Sequence, residues 1–441
     1  MSRIIQRSLR ETPDTVVGGE GIRLHLASGK TVIDGSGGAA VACIGHGNKR
    51  VAAAMAEQAG RVAYAHTGFF TSEPAEALAD LLLADEPGGL THAFFVSSGS
   101  EAMEAALKLA RQYFVEIGQP ERTRFIARRQ SYHGTTLGAL AAGGHLARRA
   151  LYEPLLSEAF SRVSPCFAYH HQGADESDAE YVARLADELE GEFQLVGPGR
   201  VAAFVAETVV GAATGCVAAV PGYFAAVRAV CDRHGALLIL DEVMSGMGRT
   251  GTLHAWEQEG VAPDIQAVAK GLGGGYAPIG GILASGRVIA ALREGSGGFM
   301  HGQTYQAHPV ACAAALEVQR ILGEEGLVAQ AARRGEVLER MLVERFGNHR
   351  HVGDVRGRGL FWALEFVSDR AGRTAFAAGD GIAERVKSAA MARGLAVYPC
   401  VGTVDGRVGD HVIVAPPYIV SEGDLSDIVG RLGEAVDAVF A

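Results

Sequence analysis

The segment QAVAKGLGGGY (residues 266–276) sets Lys270 between an apolar run and four glycines. An amine at the end of a buried strand loses hydration of its charged form, so its pKa falls and it becomes a nucleophile. The chain has only five lysines (Lys30, Lys49, Lys108, Lys270 and Lys387) among forty basic residues, which shortens the list of amine candidates. The ordinary alternative is a surface lysine at a strand end. Such a lysine has no use for neighbouring glycines, whose missing side chains let another backbone or a ligand come close.

Two further stretches carry groups of the right kind. ALLILDEV (236–243) is apolar until Asp241 and Glu242. Acids at the carboxyl end of such a strand lie where ligands bind in open α/β sheets, or else face solvent and cap a turn. Asp241 would suit a counter-ion role to a protonated ring nitrogen. VSSGSEAMEAALKLAR (96–111) puts Ser97, Ser98, Gly99 and Ser100 at a strand-to-helix junction. Free N–H groups and the helix dipole there favour a phosphate, although an ordinary serine N-cap has the same composition.

The remaining candidates are weaker. SYHG (131–134) pairs Tyr132 with His133 before Gly134 and fits packing as well as function. HGQTYQAHP (301–309) is polar beside an apolar helix, as a site wall would be. His170 and His171 lack a third ligand at useful spacing, so they are expected in a solvated loop, and no metal site is expected. The glycine clusters at 35–38 and 271–275 do not fit a dinucleotide fingerprint. Together the candidates supply an amine, an acid for a ring nitrogen, a phosphate cup and an aromatic lid. Pyridoxal phosphate, with its aldehyde, pyridine and phosphate, needs all four.

The elements that must hold these residues follow from periodicity. Residues 22–34 alternate around Ser-Gly-Lys as a hairpin, 35–48 form a small-residue loop, and helical spacing covers 49–61 and 73–84. Strand-like runs at 92–96, 124–128, 201–207 and 236–243 alternate with helical stretches at 100–116, near 135–149 and at 222–235. Runs without alternation are strands covered on both faces, which predicts an α/β core. From about residue 310 long amphipathic helices take over, with strands near 359–366 and 411–417.

Composition narrows the function. At 48% apolar, 20% charged and a net charge of −10, the chain is a soluble globular type without the basic face a nucleic-acid binder needs. Six scattered cysteines show no zinc-like spacing and are expected reduced and buried. No membrane span and no secretory signal is expected, which points to the cytoplasm.

The blocks SSGSEAMEAALKLAR, SYHG, CDRHGALLILDEVMSGMGRTG, PDIQAVAKGLGGGYAPIGG and HGQTYQAHPVACAAAL resemble, in order and spacing, those of class III aminotransferases. That group includes the ω-amino-acid and amine:pyruvate transaminases of PLP fold type I. The resemblance runs from about residue 15 to 435. It implies a large domain (66–310) with a mostly parallel seven-stranded sheet between helices. A smaller α+β domain would be formed by residues 1–65 and 311–441.

The resemblance also implies roles. Lys270 matches the Schiff-base lysine that then moves the substrate proton, and Asp241 the partner of the pyridinium nitrogen. Ser98, Gly99 and Ser100 match the phosphate cup. Tyr132 and Val243 would face the two sides of the ring, with His133 and Gly134 completing the wall and Glu207 beside it. Thr304 would reach the phosphate of a neighbouring subunit, which implies at least a homodimer, its pairing into a tetramer left open. Ala40, Phe69, Phe70, Tyr132 and Arg407 are the expected substrate-side residues.

The chain departs from the family pattern at three places. Glu207-Thr208-Val209 stands for Glu-Pro-Val, and Tyr305-Gln306-Ala307-His308-Pro309 for Tyr-Ser-Gly-His-Pro. Ala39 and Ala40 stand where many amine transaminases carry a bulky aromatic, which implies a wider pocket. Arg407, near GDHVIVAPP, matches the mobile carboxylate-binding arginine, or is a solvent-exposed loop residue. The expected activity is transfer of an amino group from an amine or amino acid to a keto acid of the pyruvate kind. An aminomutase, racemase or decarboxylase on the same fold is the alternative, and a nicotinamide-dependent reductase the more distant one.

Overall fold

Every residue of the strands Val201–Glu207, Leu237–Asp241 and Gly280–Ser285 is buried in the computed structural model, which describes residues 3–441. Such strands need cover on both faces, and they have it. Because side chains alternate along a strand, Ala203 and Val205 enter one apolar layer with Ala102, Met103 and Leu109 of the helix Gly99–Glu116. Phe204 and Ala206 enter the opposite layer, with Leu185 and Leu189 of Asp178–Val196 and Phe224 and Val227 of Tyr223–His234. Burying a side chain such as Phe204 contributes about 2–3 kcal/mol.

The sheet has seven strands, in the order Leu90–Val96, Gly280–Ser285, Ile265–Val268, Leu237–Asp241, Val201–Glu207, Arg124–Arg128, Phe160–Val163. Only Gly280–Ser285 runs against its neighbours; the rest are parallel. The carboxyl ends of the six parallel strands therefore open on one edge, where ligands bind in sheets of this kind.

The two ends of the chain build a second core. Strands Val16–Glu20, Arg23–Leu26 and Thr31–Asp34 form a sheet completed by Leu395–Ala396. A four-stranded antiparallel sheet joins Val352–Arg358, Phe361–Phe366, Asp410–Val414 and Tyr398–Val401. Ile22, Ile33, Ile44 and Val51 pack there with Leu338, Leu342, Leu364 and Leu425. The helix Pro309–Glu324 belongs to both cores: Ala311, Cys312, Ala315 and Leu316 face the large sheet, Ala314, Val318, Ile321 and Leu322 the other.

Two expectations need correction. The stretch near 135–149 is not one helix but two short ones, Leu137–Ala142 and Leu146–Arg149. Gly143 and Gly144 separate them, and a Cβ on Gly144 would lie 2.6 Å from the Arg128 carbonyl oxygen, so the chain must pass there without a side chain. His170 is not in a solvated loop. Its side chain is 7% exposed, with Nε2 2.5 Å from Glu365 Oε1, tying the large sheet's surroundings to the C-terminal sheet. All six cysteines are free and buried.

Candidate active site

The register of three adjacent parallel strands sets the floor of the site. Glu207 pairs with Asp241, and Asp241 with Ala267, three residues before Lys270. Together with the ends of Leu90–Val96 and Arg124–Arg128, they border a cavity of about 380 Å3. Ser98, Gly99, Ser100, Tyr132, His133, Gly134, Glu207, Asp241, Val243 and Lys270 all line it.

Lys270 opens a turn in the left-handed region, with φ 44°. A non-glycine residue held there costs about 1–2 kcal/mol, so surrounding contacts must hold it. Its carbonyl accepts the N–H groups of Gly273 (3.2 Å) and Gly274 (2.9 Å). Gln319, from the helix shared by the two cores, donates to the carbonyls of Gly271 (3.0 Å) and Leu272 (2.8 Å). Burial lowers the pKa of the Lys270 amine; Asp241 and Glu207 oppose the shift, and Arg148 adds to it. The free-base amine is thereby favoured.

Asp241 and Glu242 point to different tasks. Asp241 accepts from His133 Nδ1 (2.8 Å) through Oδ2 and from the Val243 N–H (3.0 Å) through Oδ1, and still borders the cavity. Its remaining lone pairs can take one more donor. Proton donation to Asp241 fixes the His133 tautomer, with Nδ1 protonated, and His133 Nε2 is buried without a partner among the described residues. Glu242 is turned away and accepts from Thr208 Oγ1, Gln266 Nε2 and the N–H groups of Ala255 and Trp256. Burial pushes it up to about 7. Glu207 spends both oxygens on backbone, the N–H groups of Tyr132 and Gly211 (2.9 Å each), and so fixes the loop that carries Tyr132.

Opposite the acids, the helix Gly99–Glu116 aims its first turn at the cavity. Ser98 is its N-cap, accepting from Glu101 N–H (3.2 Å), while Glu101 Oε2 accepts from Ser97 N–H (2.7 Å). The first-turn N–H groups of Gly99 and Ser100 precede any helical acceptor and are free to meet an anion. The N-cap reading applies to Ser98, and the Gly99 and Ser100 N–H groups remain available to an anion. A Cβ on Gly99 would sit 2.7 Å from Val243 Cγ1, and one on Gly134 2.6 Å from Ser100 Oγ. The cup closes only because both positions lack side chains.

The outer candidates lie elsewhere. Ala40 is 3% exposed and packs under the site with Val209, Cys216 and Ile413; its φ of 59° leaves the next residue, Val41, on the cavity wall. Ala40 is thus not a wall residue within the chain. Phe69 (80% exposed) and Phe70 (68%) are on the surface, as are Thr304 and Arg407. Arg407 sits on a turn whose ends are joined by the Gly402 N–H and Gly409 carbonyl, 2.8 Å apart. Val41, Met244 and Pro278 line the cavity without any chemical signature in the sequence. Arg148 was also hidden; its guanidinium lies 4.5 Å from the centre of the Tyr132 ring.

A buried amine, an acid with a free lone pair and a helix N-terminus around one cavity suit a phosphorylated pyridine aldehyde. Residues 4–436 match the model of the aminotransferase class-III family, and the chain belongs to that family. It is 50% identical to an uncharacterized aminotransferase of Schizosaccharomyces pombe over 429 residues, 97% of this chain and 94% of the relative. An (S)-enantioselective ω-transaminase from Thermomicrobium roseum superposes with a TM-score of 0.92 at 39% identity, covering 98% of this chain and 94% of the other. An amine transaminase from an uncultivated Pseudomonas species, in PLP-bound form, gives 0.92 at 33% identity, with 99% and 98% covered. The protein is an aminotransferase of PLP fold type I that uses pyridoxal phosphate and acts on small molecules.

Proposed function

We propose that this aminotransferase moves an amino group from an amine or amino-acid donor to a keto acid of the pyruvate kind, in two half-reactions through a Schiff base at Lys270. The observation that carries the reading is the meeting of Lys270, Asp241 and the first turn of Gly99–Glu116 at one cavity. Bound there, pyridoxal phosphate supplies an aldehyde that condenses with amines and a pyridine ring that takes up the electron pair left when a substrate carbon loses its proton.

The chain's own residues do the rest. Burial lowers the Lys270 pKa and so favours the free-base amine, which would serve as nucleophile and as acceptor of the substrate's proton from the same position. Asp241, oriented by His133 Nδ1 and the Val243 N–H, would accept from a proton-bearing ring nitrogen with its remaining lone pairs. The Gly99 and Ser100 N–H groups would hold the phosphate. Tyr132 and Val243, both on the cavity wall, would bound the two ring faces, with His133, Gly134 and Glu207 setting the Tyr132 side.

Thr304, exposed and outside its own chain's cavity, serves the phosphate of a second copy in a homodimer. Phe69 and Phe70 reach the substrate across the same interface. The dimer works in the cytoplasm.

Replacing Lys270 with Ala tests the assignment. Transamination is expected to be lost, and borohydride is expected to fix the cofactor to the wild-type chain but not to the variant. Turnover that needs no keto acid would replace transfer with an isomerising or decarboxylating reaction.

A further inference from the structure

The geometry points to Arg148 as a specificity-determining residue that receives the substrate's carboxylate on the Tyr132 side of the cavity, an inference that rests on the transfer reaction proposed above. The cavity wall needs such a cation. Lys270 is its one lysine or arginine among the described residues, and it faces two carboxylates, Glu207 and Asp241. An acidic substrate entering there would be repelled unless a positive charge stood beside the entrance.

Of the arginines around this side of the molecule, Arg128, Arg129, Arg149 and Arg162 already have acceptors, Arg128 in the Glu207 carbonyl. Arg149 Nη1 donates to the carbonyls of Leu140 (2.9 Å), Ala141 (2.8 Å) and Gly143 (2.8 Å), and Nη2 pairs with Glu153. Arg162 donates to the carbonyls of Gly143 and Ala141. Arg129 pairs with Glu188 and Ser164. Arg148, half-buried, has no ion pair and no side-chain hydrogen bond among the described residues; its contact is the face of Tyr132.

Stacking uses the face of a guanidinium and leaves its in-plane N–H donors free, and those match a carboxylate edge. Tyr132 thus works as a platform that presents the donors near the cavity it also lines. The charge is felt inside the site: burial raises the Tyr132 pKa and lowers that of Lys270, while Arg148 lowers both. The turn bearing Arg148 is pinned to the turn bearing Arg407 by the Ala147 N–H and Gly406 carbonyl (3.2 Å). Of these neighbouring arginines, Arg407 projects from an exposed turn and Arg148 lies against a wall residue.

The test uses propionate and propionamide, alike in size and different in charge, titrated calorimetrically into the holoenzyme. Arg148→Gln is expected to weaken propionate about tenfold or more and leave propionamide unchanged, while Arg148→Lys keeps part of the affinity. In kinetics, KM for pyruvate should rise with kcat little changed, and KM for an amine donor without a carboxylate should stay put. Equal losses for both probes, no change for propionate, or a larger loss in Arg407→Ala than in Arg148→Gln would overturn the proposal. If the wild-type chain fails to transfer an amino group, the transfer reading fails, while the propionate titration still reports on Arg148.

Discussion

The floor of the cavity and its outer segments are built by opposite means. Lys270, Asp241 and Glu207 emerge from strands buried on both faces, so main-chain hydrogen bonds fix where each group stands. Phe69, Phe70, Thr304 and Arg407 are exposed, and the segments of the first three are held largely by aromatic contacts: His66 with Phe69 at 5.3 Å, Tyr64 with Tyr305 at 6.3 Å. Two adjacent large apolar side chains in water are a contact surface more than a fold requirement. One chain thus brings the amine, the acid and the helix N-terminus to one cavity, and the exposed outer segments are where the proposed second copy would sit.

The contrast can be broken at either end. The largest expected effect in the floor, after loss of Lys270, is Asp241→Asn, with kcat falling about 10²–10³-fold, equivalent to roughly 3–4 kcal/mol. The visible absorbance of bound cofactor should persist, because the amine and phosphate cup are untouched; a loss under tenfold would remove Asp241 from its proposed role. On the rim, Phe70→Ser should leave fresh, concentrated enzyme active but raise the concentration at which dilution dissociates and inactivates it by about tenfold. Sedimentation velocity on the same samples checks this, and an unchanged dissociation constant would place Phe70 outside the interface.

The smallest effect at neutral pH concerns two buried histidines outside the cavity, one beside the large sheet and one in the C-terminal sheet. Burial pushes His254 down to about 4 and His411 to about 3. The unfolded chain, with histidines near 6.5, binds more protons. Stability from these two is therefore complete above about pH 6.5 and falls as pH drops toward 4 and then 3, by about 1.4 kcal/mol per pH unit for each. The thermal midpoint should decline from pH 6.5 to 4.5 at constant protein concentration. A flat profile would contradict neutral, buried histidines.

The floor was legible in the sequence because its groups sit at the ends of unbroken apolar runs. ALLILDEV and QAVAK announce both the strand and the residue that ends it. Other features left no such trace. The strand Gly280–Ser285 begins with glycines that suggest a loop, yet Gly280 is required: a Cβ there would lie 2.5 Å from the Ser98 carbonyl oxygen. Leu395–Ala396 pairs with Ile33–Asp34 over a separation no local pattern encodes. Arg148 and Arg149 are adjacent and alike in sequence. Only the fold gives one a set of carbonyls and the other an aromatic face. The rim residues were identified by resemblance, and a single chain leaves them outside the cavity.

The helix Pro309–Glu324 limits the modularity of this protein. Its faces finish two separate cores, and its Gln319 grips the carbonyls just after Lys270. A cut or graft at the start of the C-terminal segment would strip a wall from one core and unclamp the reactive turn together. An exchange of segments between two such chains would therefore have to carry this helix together with both of its partners.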